Sequence, residues 1–245
     1  MKVFDALAQY EYPAISGLTY RNQFTFLVAI LLSAQSRDEF INTQTPALFD
    51  RADNAQAMFD LGVEEIANYI QKIGLWRNKA KNIHALSKKI VEFQEILANK
   101  SNKEWYSNFV EIHEQRNLRS VENDDVISYD DNYISQEGIP TFRLGLLELP
   151  GIGRKSANVF LNMIYDAPYF PVDTHVLRLT KRLDIAHGNP VEVEEILQEI
   201  VPKKYATKIC HWLVWHGRRV CMAKKPGCKN CLLKEYCKFF KDTQS

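Results

Sequence analysis

The sequence predicts an all-α fold, and three observations predict it. Apolar residues recur at three- and four-residue steps over long stretches, helix start signals are spread along the chain, and there is no run of alternating strand residues and no internal repeat. Ser36-Arg37-Asp38-Glu39 has the spacing of a capping box and opens a helix toward Phe49. Asn54 caps a segment from Ala55 to Leu61, which Gly62 ends. From Asn78 onward, Ile83, Leu86, Ile90, Phe93 and Leu97 line one buried helix face. Thr141 caps a short helix through Glu148, and another helix runs from Arg154 to Tyr165. Asp173 stands where the cap of a helix through Leu183 falls. Asn189-Pro190 pairs a cap with a proline at the first helical position, opening a helix to Ile200. A last long helix is expected from about Lys203 to Arg219.

The segment from about Lys100 to Ile139 breaks this pattern. It is acidic, weakly periodic and rich in Asn, Ser and Asp, with room for a short helix from Trp105 to Gln115. Connections this long without structure of their own are uncommon inside compact domains. The stretch Arg119 to Gly138 reads as a mobile surface insertion.

A chain of 245 residues is long enough for one large domain or two interlocked ones. Its 46% hydrophobic and 25% charged residues are ordinary for a globular protein in water. The longest apolar run, Phe26 to Leu32, is far too short to span a bilayer, so no membrane role is expected. Met1-Lys2-Val3-Phe4-Asp5 lacks the apolar stretch of a secretory signal. The expected location is the cytoplasm, beside the nucleoid in a bacterial cell. The net charge is only +1, but its distribution is uneven. Pro140 to Ser245 carries 17 basic and 10 acidic residues, and Met1 to Ile139 carries 14 and 20. The basic surplus permits phosphate binding in the second part, although on charge alone solvated faces explain it better.

The most informative stretch is Leu149-Pro150-Gly151-Ile152-Gly153-Arg154-Lys155-Ser156-Ala157. Gly151 and Gly153 let the backbone turn tightly between an apolar segment and a new helix, and bring bare N–H groups close to an outside ligand. A helix start offers unpaired N–H donors and positive dipole, which suits a phosphate. The same field disfavours an ammonium at Lys155, and an uncharged lysine is a nucleophile. Taken alone, Lys155 reads as a solvated or phosphate-contacting lysine, and Asp173 reads as a helix cap.

Four of the five cysteines follow C-x6-C-x2-C-x5-C: Cys221, Cys228, Cys231 and Cys237. In a chain expected in the cytoplasm such a cluster points to a metal centre before disulfides. Lys224, Lys225, Lys229 and Lys234 nearby favour thiolates. The spacing leaves zinc and a [4Fe–4S] cluster both open, and the presence of one short knuckle instead of two tilts toward iron–sulfur. Cys210 stands apart on an apolar helix and reads as a packed core thiol.

With these pieces together, the chain resembles the endonuclease III family of helix-hairpin-helix DNA glycosylases. The resemblance runs through Leu32-Ser33-Ala34-Gln35, Ile73-Gly74-Leu75, the glycine hairpin, Pro171-Val172-Asp173-Thr174-His175, His216-Gly217-Arg218 and the four cysteines in order. It covers most of the chain outside the acidic segment. That segment is the main departure; Trp76, where the family often has tyrosine, is a lesser one.

The resemblance implies a bifunctional glycosylase and abasic-site lyase of base excision repair, acting as a monomer on oxidised pyrimidines in damaged double-stranded DNA. It places Lys155 and Asp173 at the catalytic lysine and aspartate, and the four cysteines at the ligands of a [4Fe–4S] cluster. It matches Gln35 and Leu75 to residues that fill the gap left by an extruded base. Gly151, Gly153 and Arg154 fall in its DNA-binding hairpin. On the residues alone, Leu75 after Gly74 reads as core and Gln35 as a polar helix end. Arg154 and Lys181 serve equally as phosphate contacts or as an exposed helix face, and His175 and His216 read as structural histidines.

The implied fold is two helical lobes, one from about 16 to 167 and the other combining 1–15 with 168–245. Two alternatives stand beside this expectation: a mismatch glycosylase of the same class, and a non-catalytic DNA-binding module with a redox centre. Lys155 favours the lyase over the first, and Lys155 with Asp173 weighs against the second.

Overall fold

The computed structural model describes residues 2–13, 16–99 and 133–244, together with Glu104, Tyr106, Ser107, Phe109 and Glu111. Among the described residues the chain is helical, with a single isolated bridge between Ile134 and Pro140 in place of any strand. It divides into two compact units, one formed by Gly17–Tyr165 and the other by Met1–Ser16 with Asp166–Ser245. No helix among the described residues is long and apolar enough to cross a membrane.

The first unit is built around α2 (Gln23–Ser33), whose residues from Phe24 to Leu32 are all buried. A helix apolar on every side belongs at the centre of a core. Asn22 and Thr25 start it with reciprocal bonds: Thr25 N–H donates to Asn22 Oδ1 at 2.8 Å, and Asn22 N–H donates to Thr25 Oγ1 at 3.0 Å. Around it lie α3 (Asp38–Gln44), α4 (Pro46–Arg51), α5 (Ala55–Ile70), α6 (Trp76–Asn99), α7 (Arg143–Leu147) and α8 (Arg154–Tyr165). α5 packs along α6, which buries Ile83, Leu86, Ile90 and Phe93, while Leu97 is half-buried. Asn54 caps α5 as expected, and Gly62 at φ 73° kinks it where the sequence predicts an end.

The second unit has its own apolar core. α1 (Lys2–Ala8) supplies Phe4 and Leu7, and α9 (Thr174–Leu183) supplies Val176 and Leu179. α10 (Pro190–Ile200) adds Val193 and Leu197, and α11 (Ile209–Arg219) adds Ile209, Trp212 and Leu213. α12 (Lys238–Gln244) follows the cysteine-rich loop. Cys210 is buried in this core, as its apolar setting predicts.

Four expectations about local structure need correction. Ser36 caps nothing: Gln35 turns left-handed, Ser36 N–H returns to Ser33 O at 2.9 Å, and α3 begins at Asp38 after an extended Arg37. The helix expected to reach Phe49 is split before Pro46, whose ring nitrogen carries no hydrogen for the helical ladder. Thr141 is not the cap of α7. Its N–H is held by Tyr133 O at 3.0 Å, and the helix starts at Arg143 behind Phe142. The long helix from Lys203 is interrupted, because Lys203–Tyr205 forms a 3₁₀ turn and α11 begins only at Ile209. Tyr205 is anchored there, its hydroxyl donating to Asp5 Oδ1 at 2.8 Å and its ring lying 5.5 Å from that of Trp212.

The acidic insertion is also only partly as expected. Residues 133–138 are held in place and are not a mobile surface segment. Ser135 N–H donates to Ile139 O at 2.8 Å, and Gly138 N–H donates to Ser135 O at 2.9 Å. Glu137 accepts from the N–H groups of Gln23 (3.3 Å) and Phe24 (2.9 Å), closing the start of α2 with a carboxylate where unpaired donors and positive dipole favour one. Gln94 Nε2 donates to Glu137 O at 2.9 Å. The expected Trp105 to Gln115 helix lies largely outside the described residues, but Tyr106 and Phe109 are helical and pack edge-on against Phe142. Residues 119–132 also lie outside the described residues.

Candidate nucleic-acid interface and cysteine site

The glycine hairpin joins α7 to α8 with its apolar residues turned inward. Leu149 and Ile152 are buried, and Ile152 N–H donates to Leu149 O at 3.0 Å. Gly151 takes φ 84°, and a Cβ there would lie 2.9 Å from Leu31 Cδ1 and 3.0 Å from Asn82 Nδ2. Both backbone and packing therefore require glycine at 151. Gly153 differs, because a Cβ there would meet nothing within 4 Å and its φ is unexceptional. Nothing among the described residues demands glycine at 153. Gly151→Ala is expected to cost about 2 kcal/mol of stability, and Gly153→Ala less than about 0.5 kcal/mol, measured by denaturant unfolding.

Gly153 O accepts the first intrahelical bond of α8 from Ala157 N–H at 2.9 Å, which makes Gly153 a cap without a side-chain acceptor. Arg154 and Lys155 are the first two residues of α8; Arg154 is half-buried and Lys155 is exposed. The opposite face of α8 buries Ala157, Phe160 and Leu161, and Phe160 stacks on Phe26 of α2.

Two helices lie against this hairpin, and each borders a further loop. Asn82, which bounds Gly151, is in the second turn of α6, and Leu31, its other boundary, is in the last turn of α2. Gln35 follows α2 and Leu75 precedes α6. Both have positive φ, 61° and 60°, conformations that cost a side-chain-bearing residue about 1–2 kcal/mol. Leu75 is 59% exposed while Ile73 beside it is buried, so Leu75 is not core. Gln35 is exposed as well. Lys79 ties the two loops together, its Nζ donating to Leu32 O and Ala34 O, both at 2.8 Å. The sequence reading missed Lys79, and no local pattern distinguishes it from the other lysines of α6.

Asp173 sits in the other unit and caps α9. Its Oδ1 accepts from His175 N–H at 2.8 Å and from Val176 N–H at 2.9 Å. His175 Nδ1 lies 3.1 Å from Arg178 Nη2, and burial lowers the His175 pKa. Lys181 is exposed on α9. Arg178 also donates to Gly217 O at 3.0 Å and to Cys221 O at 3.1 Å, fastening α9 to the end of α11.

Cys221, Cys228, Cys231 and Cys237 line one cavity, with Leu179, Leu233 and Phe239 among its apolar walls. None is in a disulfide. Burial raises the Cys228 thiol, and Cys221 and Cys231 raise it further; burial is also the main cause of the rise at Cys237. Of the flanking lysines Lys234 lines the same cavity, while Arg182 bonds directly to this group. Its Nη1 lies 3.1 Å from Cys221 Sγ, and it also donates to Met222 O and Ala223 O at 2.9 Å. Arg178 and Arg182 are one turn apart on a capped helix, a spacing that could have flagged them.

His216 is a buried structural histidine. Its Nδ1 pairs with Tyr12 Oη at 3.2 Å, its Nε2 lies 3.5 Å from Cys231 Sγ, and burial lowers its pKa to about 4. Among the described residues no three His, Cys, Asp or Glu side chains stand together as a ready site for a single metal ion.

Residues 28–203 match the family model described as HhH-GPD superfamily base excision DNA repair protein. The chain belongs to that superfamily. Its HhH-GPD relatives include endonuclease III of Rickettsia felis, 36% identical over 98% of this chain and 93% of that protein. Endonuclease III of Escherichia coli K12 is 34% identical over 91% of this chain and 86% of its own length. Among solved structures, a trapped endonuclease III–DNA covalent intermediate superposes with a TM-score of 0.75 at 29% identity, covering 99% of this chain and 95% of that one. A thermostable thymine-DNA glycosylase shares the fold at TM-score 0.70 and 14% identity. The all-α HhH-GPD fold and the endonuclease III resemblance expected from sequence are thus confirmed.

Proposed function

We propose that this base excision repair enzyme removes oxidised pyrimidines from damaged duplex DNA and nicks the strand through a Schiff base on Lys155. The observation that carries the reading is an exposed lysine in the first turn of α8, behind the Gly151 hairpin. It occurs in a chain that matches, over 99% of its length, an endonuclease III caught covalently on DNA.

The hairpin's bare backbone at Gly153 and the start of α8 grip a phosphate. Gly153→Ala would therefore weaken duplex binding without weakening the fold. Arg154 adds charge beside them. The damaged nucleotide leaves the stack, and Gln35 and Leu75 occupy the gap behind it. Lys155 Nζ attacks C1′ of the sugar. The C1′–N bond to the base breaks, and the base takes up a proton as it departs. Asp173 stabilises the positive charge that develops on the sugar and relays protons. The sugar ring opens to an imine on Lys155, a proton leaves C2′, and the 3′ phosphate is expelled. Water then hydrolyses the imine and frees Lys155.

Cys221, Cys228, Cys231 and Cys237 would hold a [4Fe–4S] cluster, which as a bound group supplies a clasp for the C-terminal loop. Four thiols line one cavity, and at Cys228 and Cys237 the neighbouring thiols add to burial in opposing ionisation, a donor set that a multivalent cationic centre satisfies.

Borohydride added to the protein on a duplex with one abasic site is expected to trap a covalent protein–DNA adduct. A thymine-glycol duplex is expected to be nicked with the base released. Base release without any adduct or nick would overturn the lyase reading.

A further inference from the structure

We propose that Lys79 is a positioning residue for base extrusion, holding the Gln35 and Leu75 loops in one fixed relation. The proposal rests on the assignment of Gln35 and Leu75 to the gap left by the extruded base. The structural observation is that one residue bonds to backbone next to both. Lys79 Nζ donates to Ala34 O, the carbonyl joined to the Gln35 nitrogen, and to Leu32 O, both at 2.8 Å. The Lys79 N–H donates to the carbonyl of Leu75 itself at 3.0 Å.

The local chemistry explains why a lysine is needed. α2 ends when Gln35 turns left-handed, and Ser36 N–H goes to Ser33 O instead of continuing the ladder to Leu32 O. The last carbonyls of the helix then need donors from elsewhere, at the end where the helix dipole favours a cation. Lys79 is only 6% exposed, and burial alone lowers its pKa, with no carboxylate among the causes. Burying an amine without an acidic partner is unfavourable unless hydrogen bonds compensate. Here those bonds go to the segment carrying Gln35.

A wedge acts only if it is stiff. Pushing a base from its stack costs energy that a mobile loop absorbs by moving aside, and Gln35 and Leu75 both hold disfavoured left-handed conformations that relax if untied. Lys79 touches no proposed reacting atom, so its loss should slow extrusion and spare the lysine chemistry that follows.

The test uses the full-length, cluster-loaded protein and its Lys79→Met variant in single turnovers on two duplexes. One carries thymine glycol, and the other carries a preformed abasic site with no base to extrude; 2-aminopurine opposite each lesion reports unstacking. Excision of thymine glycol is expected to fall about 10- to 100-fold, and the 2-aminopurine signal to fall with it. Borohydride trapping at the abasic site should stay within about threefold of wild type. If Lys79→Met melts below the assay temperature, Lys79→Gln, which keeps an amide donor on a shorter side chain, takes its place, with a smaller loss on thymine glycol and again none beyond about threefold at the abasic site. Equal proportional losses on the two duplexes, or no loss on either, would overturn the proposal. A wild-type protein inactive on both would overturn the repair reading itself, and this proposal with it.

Discussion

Lys155→Gln is expected to abolish the borohydride-trapped adduct and to slow base release by at least about a thousandfold, as loss of a covalent nucleophile does. The fold should not suffer. Lys155 is exposed at the second position of α8, and glutamine is close to lysine in length and helix propensity. Duplex affinity should drop only slightly, since a single positive charge is removed.

Asp173→Asn supplies the contrast, because it separates the cap from the charge. Asparagine keeps an Oδ1 for the His175 and Val176 N–H groups, so the unfolding midpoint should barely move. Loss of the carboxylate charge is expected to cost about 10²- to 10³-fold in base release. Asp173→Ala loses both functions and should also lose about 1 kcal/mol of stability. A fully active, fully stable Asp173→Asn enzyme would reduce Asp173 to a helix cap. An adduct from Lys155→Gln at wild-type yield would remove Lys155 from the chemistry. The two variants are best compared in single turnovers, with thermal unfolding run alongside.

The fold was legible wherever the signal was local. α8 runs from Arg154 to Tyr165 behind the glycine hairpin, while α9 follows its Asp173 cap and α10 follows Asn189-Pro190, each as these local signals foretell. Such caps act within three residues, so the sequence window contains the whole interaction. The failures share the opposite property. Ser36 has the residue pattern of a cap, but Gln35 before it is left-handed and the carbonyls of Leu32 and Ala34 go to Lys79, 43 positions beyond Ser36. Thr141 is taken by Tyr133, and Tyr205 is anchored to Asp5 from the far end of the chain. Glu137 reads as one more acid in an acidic stretch until the start of α2, more than a hundred residues away, lies against its carboxylate.

The candidate site divides in the same way. The hairpin and the cysteine spacing carry their chemistry within a few residues. Lys79 and Arg182 have environments that only the folded chain creates. Leu75 shows the limit most clearly, because an apolar residue after a glycine suits core and wedge equally until its exposure is known.

Loss of the cluster is expected to be the second large effect, and it should fall on stability before chemistry. Anaerobically purified protein should be brown with broad visible absorption, and Cys228→Ser should bleach it. The reason lies in how the C-terminal loop is held. Between Val220 and α12 the described backbone makes only short turns, at Cys228–Asn230 and Lys234–Tyr236, with little regular structure to support it. Its side-chain anchors include Arg178 on the Cys221 carbonyl, Arg182 on the carbonyls of Met222 and Ala223, Tyr10 Oη accepting from Leu232 N–H, and the buried Leu233 and Cys237. A centre bonded to four sulfurs spaced through the loop would replace many weak constraints with four strong ones. Because such a centre binds only the folded loop, its affinity adds directly to stability, about 4 kcal/mol if it is present at a thousand times its dissociation constant. That corresponds to roughly 10 °C in the unfolding midpoint of a protein this size. Hydrogen exchange should locate the loss in residues 220–244, and because Arg178 and Arg182 join that loop to α9, some should spread toward Asp173. A colourless, zinc-loaded wild-type protein would overturn the iron–sulfur assignment. A bleached Cys228→Ser variant with an unchanged midpoint would overturn the clasp.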